Sequence, residues 1–180
     1  MAEGYYDITI AGCKRSLKIC PVNEHMDIAA FIMFSDVELT IAAAKALLER
    51  VPEFDVLLTA ESKGIPLAYE MSRQCGKKYL LARKSAKLYM YEPVKVDVKS
   101  ITTARIQTLY MDRHDLEYLS GKRVLLVDDV ISTGESIAAL ENLAEQTDAT
   151  IVGRAAVLAE GDAKDRKDII YLEPLPLFFK

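Results

Sequence analysis

Apolar and polar residues alternate along the first part of the chain, and the apolar positions then change to a helical spacing. Residues 5–20, YYDITIAGCKRSLKIC, alternate on both sides of an Ala-Gly pair, which predicts a β-hairpin that forms an N-terminal flap. Ser35 and Glu38 have the spacing of a capping box at the start of a helix over 36–50. The apolar positions that share one face of this helix are Val37, Ile41, Ala44, Leu48 and Val51.

Short apolar runs then alternate with helical stretches. DVLLTA (55–60) and KYLLAR (78–83) are predicted strands, and the helix between them, over 65–75, should end at Gly76. A strand, a helix and a second strand in this order favour a parallel sheet. The same rhythm resumes with the strand KRVLLV (122–127), a helix over 135–146, and the strands TIVGRAAVLA (150–159) and DIIYLE (168–173).

Residues 88–110 interrupt this rhythm. VKVDV and RIQTLYM alternate as strands do, but the segment as a whole is polar and contains several threonines. We expect an inserted hairpin or a mobile loop here.

Size and charge restrict the classes of function. The chain has 180 residues, of which 51% are hydrophobic, enough to bury one core in a single domain over 1–180. Its formal net charge of −4 argues against nucleic acid as a partner, because a sequence-independent binder needs a basic face toward phosphate. The expected partners are small molecules.

No structural metal, disulfide framework or membrane segment is predicted. Cys13, Cys20 and Cys75 are odd in number and fit no zinc pattern, and the two histidines, His25 and His114, lie far apart in the sequence. The N-terminus does not resemble a leader peptide, and no apolar run approaches the roughly 20 residues that span a bilayer. We expect a soluble protein of the reducing cytoplasm with no membrane partner.

The stretch VLLVDDVISTGES, residues 124–136, carries the chemistry. Its apolar residues predict a strand buried on both faces, and ligands in open α/β sheets bind beyond the carboxyl ends of such strands. Asp128 and Asp129 stand there, and carboxylates suit vicinal hydroxyls as acceptors. The turn that follows suits a phosphate through its hydroxyls, its glycine and the amides of a helix N-terminus. Its residues are Ser132, Thr133, Gly134, Glu135 and Ser136.

A ribose 5-phosphate carries both a diol and a phosphate and would fit this stretch. A capping box between Ser132 and Glu135 would explain the turn as well, but not the acid pair. No Walker A loop and no GxGxxG motif occur, although a strand that ends in Asp-Asp resembles a Walker B. A phosphoacceptor domain would place its acidic pair near the start of the chain.

VLLVDDVISTGES resembles the 13-residue phosphoribosyl pyrophosphate signature of type I phosphoribosyltransferases, and the chain is most similar to their adenine branch. The resemblance implies that Asp128 and Asp129 hold the ribose hydroxyls and that residues 132–136 hold the 5′-phosphate. Glu135 stands where adenine-specific enzymes usually have a second glycine. The implied fold is α/β, with a central, mostly parallel sheet flanked by helices, a small N-terminal hood within about 1–34 and a flexible loop within about 88–110.

Two further segments resemble the same family. LLTAESKGIPLAYEM is similar to its pyrophosphate loop, which often contains a strained or cis peptide, and this implies pyrophosphate contacts for Ser62, Lys63 and Gly64. Lys63 stands where adenine enzymes commonly carry arginine. GKKYLLARKSAKLY resembles their RKxxKL segment, although a charge run is more often a solvated face. The pyrophosphate contacts implied there are Arg83, Lys84 and Lys87.

The family resemblance implies transfer of ribose 5-phosphate from phosphoribosyl pyrophosphate to a ring nitrogen of a purine base, with Mg²⁺ bridging the pyrophosphate. The leading base is adenine, read by a hood that includes residues 20–34 and the C-terminal PLPLFF, where Phe31 could stack on the purine. The 88–110 loop would close to exclude water. A homodimer is also implied.

Two alternatives stay open. The acceptor could be another base, such as xanthine, hypoxanthine, guanine, orotate or uracil. The chain could also be a non-catalytic sensor of phosphoribosyl pyrophosphate, as in transcription regulators that reuse this fold. Against a sensor, the sequence has no helix-turn-helix extension and keeps Lys63 and Lys87, which are leaving-group contacts that pure sensing does not need.

Overall fold

A computed structural model describes residues 4–99 and 106–180. Its helices are α1 (Val37–Leu48), α2 (Ile65–Cys75), α3 (Arg113–Leu119) and α4 (Glu135–Ala144), and a 3₁₀ turn spans Gly161–Asp165. Its strands are β1 (Tyr5–Ile10), β2 (Cys13–Pro21), β3 (Met26–Ala30), β4 (Val56–Ala60), β5 (Tyr79–Ala82), β6 (Val94–Lys99), β7 (Ile106–Met111), β8 (Arg123–Ile131), β9 (Thr150–Glu160), β10 (Ile170–Leu175) and β11 (Leu177–Phe179).

The centre of the fold is a five-stranded parallel sheet with the order β10-β9-β8-β4-β5. Side chains alternate between its two faces, so that Leu57 and Leu125 belong to one apolar core while Leu58 and Leu126 belong to the other. Helices α1 and α2 contribute to the first core, and α3 and α4 contribute to the second. The sheet flanked by helices confirms the predicted α/β class with a central, mostly parallel sheet.

A second, four-stranded sheet with the order β1-β2-β3-β11 forms the hood. Strands β1 and β2 are the predicted hairpin, antiparallel from Tyr5 opposite Lys18 to Ile10 opposite Cys13. Strand β11 pairs with β3 and brings the C-terminal segment to the N-terminal one. Strands β3 and β11 were not predicted as strands, although both segments were expected in the hood.

Helix α1 differs from its prediction in its cap and in its buried face. The N-cap is Asp36, whose carboxylate accepts a hydrogen bond of 3.2 Å from the Leu39 N–H, and Ser35 has a φ of +68°. The predicted positions Val37 and Ile41 are exposed. The helix is rich in alanine and leucine on more than one side, so packing against α2 and the sheet decides which face is covered. The buried residues are Leu39, Thr40, Ala43, Ala44 and Leu47.

The inserted segment contains an antiparallel hairpin formed by β6 and β7, as expected. Val96 and Leu109 are buried in the core that also contains α4. The middle of the expected 88–110 loop, residues 100–105, lies outside the described residues. Within the described ranges, no helix is both long and apolar enough to cross a membrane.

Candidate functional site

The acid pair and two loops meet at the carboxyl edge of the central sheet. The strand registers place Thr59 level with Val127 and Ala60 level with Ala82. Neighbouring parallel strands end at the same edge, so the residues that follow these positions come together there. The acid pair, the loop after β4 and the basic run after β5 therefore form one site.

Asp128 and Asp129 lie within β8, which continues to Ile131 instead of ending before them. Asp129 is buried, and its N–H donates to Oδ1 of Asp128 at 2.9 Å. Its Oδ2 has no hydrogen-bond partner within the described part of the chain, while Nζ of Lys63 lies 3.8 Å away. A buried carboxylate oxygen without a donor is costly. A ligand hydroxyl or a cation would satisfy it.

The electrostatics of this pair are set by burial and mutual repulsion. Burial raises the pKa of Asp128, and the neighbouring Asp129 carboxylate raises it further. The positive charge of Lys63 acts in the opposite direction but does not cancel the two effects. Holding two carboxylates here therefore has a free-energy cost that hydroxyls or positive charge on a ligand would reduce.

The turn after β8, residues 132–136, lines a cavity and does not form a capping box. We call this turn the cradle. Helix α4 begins after Gly134, which has a φ of +82°, so Ser132 is not its N-cap and the capping-box alternative is wrong. Residues 132–136, together with Asp128, line a cavity of about 140 Å³. The N-terminus of a helix favours anions because its amides and its dipole present positive charge.

The loop after β4 approaches the acid pair closely. It contains a cis peptide between Glu61 and Ser62, as the family resemblance suggested. A Cβ placed on Gly64 would lie 2.3 Å from Oγ1 of Thr59 and 3.2 Å from Oδ1 of Asp128. Only glycine allows the backbone to pass at this distance.

A second cavity of about 160 Å³ lies between this loop and the acid pair. Its lining residues are Ala60, Glu61, Ser62, Lys63, Lys84, Asp128, Asp129, Val130 and Ser136. It shares Asp128, Val130 and Ser136 with the cradle cavity. Asp128 lies at the junction of the two polar cavities and Asp129 lines the second one, an arrangement that suits a ligand with anionic groups at both ends and hydroxyls between them.

The three basic residues after β5 differ in their contacts with the site. Lys84 lines the second cavity, and its backbone N–H donates to Oε2 of Glu61 at 2.9 Å. The guanidinium of Arg83 lies 3.2 Å from Glu61 and donates to the hydroxyl of Tyr89 at 2.7 Å. The Lys84 N–H first, and then Arg83, lower the pKa of Glu61. Lys87 does not line the cavity, and its Nζ donates to Oγ of Ser85.

Phe31, the predicted contact of the base, is buried. Its ring is 5% exposed and belongs to the apolar core shared by the hood and α1. It lines neither of the two site cavities, so its stacking on a base stays a prediction. Its neighbours Ile32 and Phe34 are exposed.

Two residues of the site were not singled out from the sequence. Thr59 is fully buried with an unpartnered Oγ1, in the described residues, beside Gly64. Glu61 binds the basic run through Arg83 and Lys84. Both belong to the quoted segment LLTAESKG, but their roles depend on the neighbouring strands and are not visible in the segment alone.

Comparison with known proteins gives a consistent picture. The sequence model of one family, described as "Phosphoribosyl transferase domain", matches residues 37–175. The purine biosynthesis transcriptional repressor PurR of Bacillus subtilis (strain 168) is 30% identical over 115 residues, which are 64% of this chain and 39% of the repressor. The adenine phosphoribosyltransferase of Cenarchaeum symbiosum (strain A) is 35% identical over 118 residues, which are 64% of this chain and 66% of that enzyme. The adenine phosphoribosyltransferase of Rhodococcus jostii (strain RHA1) is 33% identical over 127 residues, which are 70% of this chain and 69% of that enzyme.

Solved structures show the same fold at low sequence identity. The adenine phosphoribosyltransferase of Thermoanaerobacter pseudethanolicus has a TM-score of 0.72 at 19% identity, with 88% of this chain and 95% of that chain covered. The Saccharomyces cerevisiae enzyme, in complex with an imino-altritol bisphosphate and adenine, has a TM-score of 0.62 at 20% identity, with 94% of this chain and 92% of that chain covered. The chain spans less than two thirds of the length of the first two sequence relatives.

Proposed function

Because the chain belongs to the phosphoribosyl transferase domain family, we propose that it transfers ribose 5-phosphate from phosphoribosyl pyrophosphate to adenine, giving AMP and pyrophosphate. The observation that carries this proposal is the meeting of the two cavities at Asp128. One cavity suits the 5′-phosphate, the other suits the pyrophosphate, and the acid pair between them suits the ribose hydroxyls.

Each part of the donor has matching groups. The carboxylates of Asp128 and Asp129 accept hydrogen bonds from the 2′ and 3′ hydroxyls, which satisfies the unpartnered Oδ2 of Asp129. Residues 132–136 surround the 5′-phosphate. Lys63 and Lys84 line the cavity proposed for the pyrophosphate.

The chemistry follows from these positions. The bond between C1′ and the pyrophosphate oxygen breaks with its electron pair leaving on pyrophosphate. A ring nitrogen of the base bonds to C1′ and gives its proton to the leaving pyrophosphate or to water. The sugar becomes cationic as the bond breaks, so the negative charge of the acid pair stabilises it. Lys63 and Lys84 stabilise the leaving polyanion. The contribution of the chain is positioning and electrostatics, without a covalent nucleophile.

Mg²⁺ is the proposed cofactor. In the described residues no group of three or more His, Cys, Asp or Glu side chains could hold a metal ion. A hard cation that the protein does not enclose takes its ligands from pyrophosphate oxygens and water, so the donor would bring Mg²⁺ to the site while Asp128 and Asp129 stay with the ribose hydroxyls. The charge of the ion would neutralise the leaving pyrophosphate.

Adenine is proposed as the base because adenine phosphoribosyltransferases are prominent among both the sequence relatives and the solved structures. Other bases remain alternatives. The test is pyrophosphate release by the purified protein with Mg²⁺ and phosphoribosyl pyrophosphate, given adenine, hypoxanthine, guanine, xanthine, uracil or orotate in turn. Release with adenine alone is expected, whereas release with none of the six bases would refute the transferase.

A sensor of phosphoribosyl pyrophosphate is the second candidate, because the repressor PurR is among the relatives. Both functions need the acid pair and the 132–136 cradle. A sensor of the intact donor also has to bind its pyrophosphate, so Lys63 and Lys84 in the second cavity are compatible with both functions. Donor binding without turnover on any base would favour the sensor.

A single domain over 1–180 and a homodimer are also proposed. The dimer is supported by exposed apolar side chains ahead of and along α1, which are Ile32, Phe34, Val37 and Ile41. Light scattering of the purified chain should give twice the monomer mass. A cytoplasmic location stays a prediction.

A further inference from the structure

Arg166 places a guanidinium against the turn that is proposed to hold the 5′-phosphate, although it lies 30 residues beyond that turn. A Cβ on Gly134 would lie 2.5 Å from Nη1 of Arg166 and 3.8 Å from its Cζ. The guanidinium therefore packs directly on the backbone of Gly134, in the middle of residues 132–136. None of the sequence motifs includes Arg166.

The sheet explains how this residue reaches the turn. Strands β8 and β9 are parallel neighbours, paired as far as Ile131 with Ala159. The segment after β9 therefore leaves the sheet at the same edge as the cradle. It forms the 3₁₀ turn Gly161–Asp165, and the N–H of Arg166 closes the turn on the carbonyl of Ala163 at 3.1 Å.

The guanidinium is fixed in orientation by a carboxylate. Nε of Arg166 donates to Oδ1 of Asp168 at 3.0 Å, and Nη2 donates to Oδ2 at 2.6 Å. This two-point contact uses one edge of the guanidinium and leaves Nη1 directed at Gly134. The same contact raises the pKa of Arg166 and lowers the pKa of Asp168. The side chain is only about one-third exposed (34%).

Charges of alternating sign continue away from the turn. Asp168 also lies 3.8 Å from Nε of Arg154, which in turn pairs with Glu141 of α4. The chain of charges runs from Glu141 through Arg154 and Asp168 to Arg166. Its positive end is the one that touches the cradle, so it adds to the positive potential of the α4 N-terminus.

We propose that Arg166 is a positioning residue of the 5′-phosphate site, which acts through Gly134. It holds the left-handed glycine in place and supplies a fixed positive charge beside the phosphate. This inference rests on the proposed function, because it assigns the anion in the cradle as the phosphate of a ribose 5-phosphate. It concerns the 5′-phosphate end of the donor and gives Arg166 no role at the pyrophosphate end.

The test is calorimetric titration of the full chain with ribose 5-phosphate and, separately, with pyrophosphate. Arg166→Gln removes the charge, and Arg166→Lys keeps it without the two-point contact to Asp168. Lys164→Gln is the matched control, because it removes an exposed positive charge from the same 3₁₀ turn without touching Gly134. Thermal unfolding of each variant identifies any loss of the fold.

Arg166→Gln should weaken ribose 5-phosphate binding by about tenfold, because both the support of Gly134 and a positive charge near the phosphate are lost, and it should leave pyrophosphate binding unchanged. The ribose 5-phosphate affinity of Arg166→Lys should lie between those of Arg166→Gln and the parent protein. If Arg166→Gln does not fold, Arg166→Lys is compared with the parent protein instead. Lys164→Gln should bind both ligands as the parent does.

Equal ribose 5-phosphate binding by Arg166→Gln and the parent protein would overturn the inference alone. An equal loss for both ligands would mean a merely structural role and would also overturn it. A parent protein that binds neither ligand would overturn the proposed function and this inference together, so the two failures are distinguishable.

Discussion

Nζ of Lys63 lies 3.8 Å from the buried Oδ2 of Asp129, so the loop after β4 reaches across to the acid pair of β8. This contact joins the proposed pyrophosphate site to the proposed diol site. The lysine side chain is half exposed while the aspartate is buried, and Oδ2 has no hydrogen bond within the described ranges. The lysine can therefore turn to pyrophosphate when a hydroxyl or a cation satisfies Asp129.

Lys63→Gln should lower the affinity for pyrophosphate by about tenfold, because one charged contact to a polyanion is lost. Calorimetric titration with pyrophosphate measures this effect. Lys63→Arg is the control, since it keeps the charge and should bind as the parent protein does. Unchanged pyrophosphate binding in Lys63→Gln would remove Lys63 from the site.

Asp128→Asn should stabilise the unliganded protein at pH 8 by roughly 1 to 3 kcal/mol, because it removes one of two adjacent, partly desolvated like charges. The asparagine Oδ1 can still accept the 2.9 Å hydrogen bond from the Asp129 N–H. Denaturant unfolding measures the difference in the free energy of unfolding. Asp7→Asn, on the exposed hairpin, is a control that should change little.

The pH dependence of that difference follows from the raised pKa of Asp128. Its pKa is higher in the folded than in the unfolded state, so the stability of the parent protein falls as the pH rises through the folded value. The excess in the free energy of unfolding of Asp128→Asn over the parent protein should therefore be largest at high pH. It should shrink as the pH falls toward the pKa of Asp128 in the unfolded state. An advantage that grew on acidification would contradict the assignment.

Gly64→Ala should reduce both stability and donor binding, because its Cβ would meet Oγ1 of Thr59 at 2.3 Å. Overpacking of this kind costs about 1 to 3 kcal/mol in the free energy of unfolding. Thr59→Ala with Gly64→Ala should recover part of the loss, and Thr59→Ala alone supplies the matched background. If the double variant were no more stable than Gly64→Ala alone, the close approach to Thr59 would not be the cause.

Asp36→Ala should destabilise the protein by about 1 to 2 kcal/mol, because it removes the cap of α1 and the ion pair with Arg15 at 2.6 Å. Arg15 lowers the pKa of Asp36, so the contribution is present above the unfolded pKa and is lost as the pH falls through the folded value. Ser35→Ala removes the hydroxyl that the sequence suggested as the cap, so it distinguishes Ser35 from Asp36 as the capping residue of α1. A larger loss for Ser35→Ala in denaturant unfolding would restore the cap suggested by the sequence.

The sequence was most informative where the signal is local. Strand β4 is buried along its whole length and β9 is buried from Ala155 to Ala159, and α2 ends where Gly76 takes a φ of +72°, as a glycine C-cap should. These features depend on residues that are close together in the chain, which is why their bounds were predicted to within one or two residues.

The rest depends on partners that are distant in sequence. The cap of α1 is Asp36 because Arg15 of the hood binds it, and Phe31 is buried because the hood and α1 cover it. Strand β11 forms only through its pairing with β3. Arg166 reaches the cradle only because β9 ends beside β8. No periodicity within one segment contains this information.

The edge formed by β4 and β8 is proposed to bind phosphoribosyl pyrophosphate through the acid pair. The most direct measurement is calorimetric titration of phosphoribosyl pyrophosphate with Mg²⁺ into the parent protein and into the double variant Asp128→Asn, Asp129→Asn. The parent should bind the donor, and the double variant should keep its fold by circular dichroism but lose detectable binding. A folded double variant that bound the donor with the affinity of the parent would contradict the account.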